Sequence, residues 1–239
     1  MTVLYSVDAG IATLTLNRPD SRNALNLEMC NRLIEAANSA SADASVKIFF
    51  VRANGPVFCA GADLKEREGM NEAQVRERRM KGFAAYAALE ALPMPVVAVV
   101  HGPAVGSGCE IAGACDFIVA TPQASFRTPE ALRGTVGATQ RLPRILGKRL
   151  AKDMMLTGRT LSAEEAREAG LVARLVSAAE LESVLSSIQS EILNAPPASL
   201  RLAKRCIDQG VELDPKGALG LEIAAIEEQL ASGRWMGKK

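Results

Sequence analysis

Aromatic residues make up only 4% of this chain, too few for a surface on which nucleic-acid bases stack. An excess of one charge is also missing: 28 basic residues stand against 27 acidic ones, a formal net charge of +1. That balance argues against nucleic acid or an anionic membrane as a dominant partner. The five cysteines, Cys30, Cys59, Cys109, Cys115 and Cys206, are odd in number and follow no zinc-binding spacing. A reducing compartment and no metal site follow. The longest strongly apolar run, Val96 to Val100, is far too short to span a bilayer. The first eight residues, Met1 to Asp8, lack the basic and apolar regions of a signal peptide. The expectation is a soluble, cytoplasmic protein.

What the chain does have is enough apolar material for a sizeable core: 48% of its 239 residues are hydrophobic and 23% are charged. That suits one large α/β domain or a core with a helical appendage. Residues 11–16 alternate with the period of a strand, and Asn17-Arg-Pro-Asp20 ends it. Leu25 to Ala37 places Leu25, Met29, Leu33 and Ala36 or Ala37 on one helical face. Val46 to Val51 reads as a buried strand, and 71–92 as a long helix closed by Pro93 and Pro95. Val96 to Val100 is the most apolar strand, followed by a short helix over 106–114 and a strand over 117–120. After Thr139 helices dominate, at roughly 140–156, 162–169, 179–193, 197–209 and 215–231. Strand–helix alternation implies a largely parallel, right-handed wound sheet. The later helices exceed what that sheet can bury, so some must pack on each other or on a second subunit, which predicts an oligomer.

Three stretches can carry chemistry. In Phe58-Cys-Ala-Gly-Ala-Asp63-Leu64, small residues leave room for a ligand beside the backbone, and Asp63 can cap a helix or simply close a turn. In Val99 to Glu110 a strand enters a glycine-rich turn at a helix start, where free N–H groups favour developing negative charge. Glu110 there is either a general acid/base or a surface residue that complements the helix dipole. In Ser125-Phe-Arg-Thr-Pro-Glu130, Glu130 is a solvated loop residue unless it faces Glu110. Two facing carboxylates in a dry cleft have their pKa values pushed apart, giving one acid and one base.

The ordered set is specific: Asn17-Arg-Pro and Arg22-Asn-Ala-Leu-Asn26, then Phe58 to Asp63, Gly106-Ser-Gly-Cys-Glu110 with Cys115-Asp116, and Pro129-Glu130. Thr139-Gln-Arg-Leu-Pro-Arg144, Leu156-Thr-Gly-Arg and Ala166-Arg-Glu-Ala-Gly-Leu-Val172 complete it. Over nearly its whole length the chain resembles the crotonase (enoyl-CoA hydratase/isomerase) family. The resemblance implies an α/β fold, a spiral of ββα repeats over 1–195, followed by a C-terminal helical trimerisation region over 196–239. It implies a homotrimer or a dimer of trimers acting on an acyl-CoA substrate. It requires no cofactor apart from coenzyme A as part of the substrate, and no metal. The backbone N–H groups of Ala62 and Ser107 would form the oxyanion hole. Glu110 and Glu130 would add water across the double bond of a 2-enoyl-CoA. Arg22, Ala24, Ala60, Asp63 and Leu64 would line the path of the CoA adenine and phosphates. Having both glutamates favours hydration over Δ-isomerisation or other acyl-CoA enolate chemistry, while a shortened loop after Glu130 and a short tail leave a non-catalytic oligomeric relative as the alternative from another class.

The chain departs from the family pattern at four places. Ser107 replaces the middle of three glycines, a change that keeps the backbone N–H. Arg127 stands where hydratases usually have a small residue, pointing either inward, toward Glu130 or an acyl carboxylate, or outward to solvent. The loop Gly134-Thr-Val-Gly-Ala-Thr-Gln-Arg141 is shorter than in many members, which would move Glu130 or reshape the acyl pocket. Many members continue past the Trp235 region with a segment that helps close the CoA site; this chain stops at Met236-Gly-Lys-Lys239, so weaker CoA affinity or assembly is expected. Other readings fit less well. Gly106-Ser-Gly108 lacks the third glycine of a dinucleotide turn, since Ile111 stands there. Ser107 lacks a nucleophile-elbow frame, since Val105 and Cys109 hold the outer positions. His101, the only histidine, is expected to be a structural, hydrogen-bonded residue.

Overall fold

The computed structural model describes residues 1–233; the end of the chain from 234 to 239, with Trp235 and Met236 to Lys239, lies outside the described residues. The chain opens with an antiparallel hairpin of β1 (Val3–Asp8) and β2 (Ile11–Leu16). Ala9 (φ 46°) and Gly10 (φ 83°) between them both take the left-handed backbone of a two-residue hairpin turn. Then come α1 (Leu27–Ala42), β3 (Ile48–Ala53), α2 (Glu72–Glu90), β4 (Val96–Val100), β5 (Pro103–Val105) and α3 (Ser107–Gly113). β6 (Phe117–Ala120), β7 (Ser125–Arg127), α4 (Arg141–Thr157), β8 (Thr160–Ser162), α5 (Ala163–Glu168) and β9 (Arg174–Leu175) follow. The described chain ends with α6 (Leu181–Asn194), α7 (Pro197–Gly210) and α8 (Pro215–Ala231).

The strands form two sheets. A six-stranded sheet runs β1-β2-β3-β4-β6-β9, parallel from β2 onward. A three-stranded sheet runs β5-β7-β8, with β5 parallel to β7 and β8 antiparallel to it. All five residues of β4 are buried, as expected of a parallel strand covered on both faces. Phe49, Val51, Val96, Ala98 and Val100 face the main core with α1 and the end of α2. Their alternates Ile48, Phe50, Val97 and Val99 pack against Leu181, Leu185 and Ile188 of α6.

Helix starts follow local chemistry. The Asn26 side chain accepts from Met29 N–H (2.9 Å), and Asn71 with Gln74 forms a reciprocal capping box at α2. α7 and α8 pack on each other. Lys204 of α7 pairs with Asp116 at 2.7 Å, and Asp116 also accepts the N–H of Val96 at 2.7 Å. Ile207, Val211, Leu219, Ile223, Ile226 and Leu230 are left facing solvent on these two helices and the turn between them. His101 Nε2 lies 2.6 Å from the carbonyl of Gly55. Asp63 does not begin an α-helix: turns occupy residues 64–69, and α2 starts only after Asn71.

Candidate active site

The small sheet positions the site. The segment after β3 lies alongside β5, with Cys59 N–H donating to Pro103 O (3.2 Å) and Val105 N–H to Cys59 O (2.8 Å). On its other side Ala60 N–H donates to Arg22 O (3.0 Å) and Leu25 N–H to Gly61 O (2.7 Å). Such close backbone approach needs small residues. A Cβ on Gly61 would meet Val105 O at 3.1 Å, and one on Gly108 would meet Cys59 O at 2.5 Å. β7, paired with β5, carries the chain to Pro129 and Glu130. The sheet thus brings Ala62, the start of α3 and Glu130 around one cavity of about 370 Å³.

Ala62, Ser107, Glu110 and Glu130 all line that cavity. Among the described residues, no acceptor takes the N–H of Ala62 or of Ser107. Burial raises the pKa of the Tyr86 phenol of α2, and the nearby Ser107 hydroxyl partly offsets that rise. Glu110 is buried on α3, and its Oε2 accepts from Arg141 Nη1 at 2.7 Å. Arg141 also holds Glu90 through Nε (3.1 Å) and Nη2 (2.6 Å) and lies over the Tyr86 ring, 5.9 Å from its centroid. Burial pulls the pKa of this guanidinium down, and the bonds to Glu90 and Glu110 more than reverse that.

Glu130 has different surroundings. Its Oε2 is buried and has no partner among the described residues. Burial raises its pKa; the bond from its own backbone opposes this, Glu110's charge adds to it, and Arg133 and Arg79 oppose it more weakly. The net direction is up. Glycines leave the space for this side chain. A Cβ at Gly106 would collide with Glu130 Oε1, and one at Gly137 would lie 3.1 Å from its Cγ.

The remaining expected site residues divide. Ala60 and Leu64 line the cavity, whereas Arg22, Ala24 and Asp63 are not among its described lining residues. Arg22 is exposed and its guanidinium meets no acceptor among the described residues, while its carbonyl takes the N–H of Ala60. The Ala24 carbonyl is held by Arg18 Nη1 at 2.6 Å. The same nitrogen pairs with Asp63 at 2.8 Å, and Asp63 Oδ1 accepts from the N–H groups of Lys65 (3.1 Å) and Glu66 (3.2 Å). Burial raises the pKa of Asp63, but the Arg18 and backbone bonds outweigh it and hold the carboxyl below its ordinary range. Asp63 therefore fastens the Arg18–Leu25 segment to the turn that carries Ala62.

Arg127 is not among the residues that line the cavity, and its Nε donates to Gly158 O at 2.8 Å. The loop after Glu130 still walls the cavity through Thr135, Val136, Gly137 and Ala138. Arg79 of α2 clasps it at Thr135 Oγ1 and at Val136 O (2.9 Å). Arg141, Arg79 and Tyr86 were not singled out by the sequence reading. Only the Thr139-Gln-Arg141 string carried a signal, and nothing local to it points to Glu110.

The enoyl-CoA hydratase/isomerase family model matches residues 6–232. A bovine protein named enoyl-CoA hydratase domain-containing protein 2, mitochondrial, is 40% identical over 229 residues, covering 92% of this chain and 77% of its own. The crystal structure of an enoyl-CoA hydratase from Bacillus anthracis superposes with a TM-score of 0.91 at 35% identity, covering 95% of this chain and 90% of that one. A protein from Thermobifida fusca solved in complex with CoA superposes at a TM-score of 0.90 with 26% identity, covering 97% of this chain and 93% of that one. The α/β architecture is therefore the crotonase fold. Among the described residues no helix is long and apolar enough to cross a membrane.

Proposed function

The chain belongs to the enoyl-CoA hydratase/isomerase family, and we propose that within it the protein hydrates a 2-enoyl-CoA thioester. The reading is carried by one observation: two carboxylates share a cavity with two uncommitted backbone N–H groups, and their charge surroundings differ. The N–H groups of Ala62 and Ser107 would receive the thioester oxygen as it gains charge, in a site where such donors matter most. Glu110 has its charge compensated by Arg141 on Oε2, which leaves Oε1 to take a proton from water. Glu130, whose pKa is raised by burial, holds its proton to higher pH and is suited to deliver it to the α-carbon. Arg22 and the Ala60–Leu64 stretch would accompany the CoA moiety, Arg22 by pairing with phosphate.

A second reading is favoured by the same ion pair. If Arg141 withdraws Glu110 from water, Glu130 alone can move a proton between two carbons, which is Δ-isomerisation. The apolar residues left on α7 and α8 support a homotrimer or a dimer of trimers. The test is to follow loss of enoyl absorbance with crotonyl-CoA, for the wild type, Glu110→Gln and Glu130→Gln. Hydration abolished in both variants supports the two-carboxylate mechanism. Wild-type protein that binds but does not hydrate, while interconverting 3-enoyl- and 2-enoyl-CoA through Glu130, supports the isomerase. No binding of any acyl-CoA refutes both.

A further inference from the structure

Water addition needs no arginine in the cavity, yet Arg67, Arg78, Arg79 and Arg133 line it. Arg78 is spent: it is buried, Nε donates to Glu66 at 2.6 Å, and Nη2 holds the Leu25 carbonyl. Arg79 commits one nitrogen, Nη2, to the loop over 135–136. The guanidinium groups of Arg67 and Arg133 meet no acceptor among the described residues. Only their backbone N–H groups are used, to Leu64 O (3.1 Å) and Glu130 O (3.0 Å).

The cavity's own anions do not balance these cations. Glu110 is taken by Arg141, which leaves Glu130 alone among the described lining carboxylates. The rest of the wall is largely apolar, with Leu64, Phe83, Val105, Val136 and Ala138. An apolar passage with unspent guanidinium groups matches a ligand with a hydrocarbon body and an anionic end. Arginine is the side chain best shaped to receive a carboxylate.

Two anions are at hand in an acyl-CoA, a carboxylate on the acyl group and the phosphates of CoA, and placement separates them. Arg67 lies in the turn beside Leu64, on the side where the proposed CoA path runs. Arg133 follows Glu130 by three residues, and Arg79 reaches the same loop at Thr135. Both therefore lie at the Glu130 end of the cavity, which the proposed reaction gives to the acyl group.

We propose that the acyl group this cavity accepts carries a carboxylate at its distal end, bound by Arg133 with Arg79 beside it, so that the substrate is the enoyl thioester of a dicarboxylic acid. The inference rests on the acyl-thioester reading above but not on which reaction follows. It is tested by calorimetric binding of three unreactive ligands, glutaryl-CoA, butyryl-CoA and CoA, to the wild type, Arg133→Leu and Arg133→Lys. Arg133 is exposed, so both variants should fold, as circular dichroism will verify. Wild type should bind glutaryl-CoA about tenfold more tightly than butyryl-CoA, the value of one charge-assisted bond. Arg133→Leu should erase that ratio and Arg133→Lys should keep part of it. Equal wild-type affinities for the two thioesters would overturn the proposal. So would an Arg133→Leu variant weakened equally toward all three ligands, because that would assign Arg133 to a CoA phosphate. Failure to bind any of the three would instead refute the acyl-thioester reading itself.

Discussion

Arg141→Met should be worse for stability than the loss of three hydrogen bonds suggests, because it strands a charge. The two bonds to Glu90 involve a carboxylate 53% exposed and together contribute at most about 1 kcal/mol. The bond to Glu110 involves a carboxylate 7% exposed and a guanidinium 18% exposed. Breaking a fully buried pair from one side costs about 3–5 kcal/mol; the residual exposure of Arg141 brings this to the lower end. The variant should lose about 3 kcal/mol in all. Glu110→Gln leaves Arg141 with Glu90 and keeps an acceptor, so it should lose about 1–2 kcal/mol. In the double variant no charge is stranded, and it should be about as stable as Arg141→Met alone, or more so. The coupling of about 1–2 kcal/mol is the signature of the pair. The assay is urea unfolding at pH 7 followed by circular dichroism, at one fixed protomer concentration so that any assembly contributes equally to every variant. Losses that add in the double variant would refute the claim that Arg141 compensates Glu110.

Two further outcomes follow from Glu130. Its folded-state pKa lies above the ordinary 4.5, so the folded state binds the extra proton and its stability falls as pH rises from about 4.5 through the raised value. Glu130→Gln removes that loss: unfolding midpoints measured from pH 4 to 8 should move in the variant's favour with rising pH, and parallel curves would refute it. Gly106→Ala meets two obstacles, a φ of 51° with ψ of −106°, and the collision with Glu130 Oε1. It should cost about 1–3 kcal/mol and lower enoyl-CoA turnover at least a hundredfold with the fold retained; near-normal turnover would show that Glu130 does not depend on that space.

The sequence reading succeeded where a segment's own pattern dictates its structure. Val96–Val100, Phe117–Ala120 and the helices after Thr139 lie where periodicity and breakers put them, within a residue or two. It missed β1, whose residues alternate poorly because only Val3 is buried. The small sheet was not legible as a sheet, its strands β5, β7 and β8 having three residues each. A three-residue strand has no period to detect, and its partners lie far along the chain. The same separation hid the charge pairs. Glu110 and Glu130 were legible as candidates, and they do share a cavity. That Arg141 would reach Glu110, that Arg18 would reach Asp63, and that Arg127 would turn to Gly158 depend on segments brought together by the fold. Asp63 was read as a helix cap or the close of a turn, and its bonds to the N–H groups of Lys65 and Glu66 make it the latter; its ion pair to a residue 45 positions earlier is not local and left no signal.

The slot between Gly106 and Gly137 defines a length as well as a space. Glu130 reaches across it with its full side chain, Cγ against one glycine and the carboxyl against the other. Aspartate at the same position would keep the acid and its charge but withdraw the carboxyl by about one C–C bond, ~1.5 Å. The gap so opened has no side chain on either flank to fill it. Any proton that Glu130 delivers would therefore depend on an arm of two methylenes as well as on acidity, and two residues without side chains set its reach.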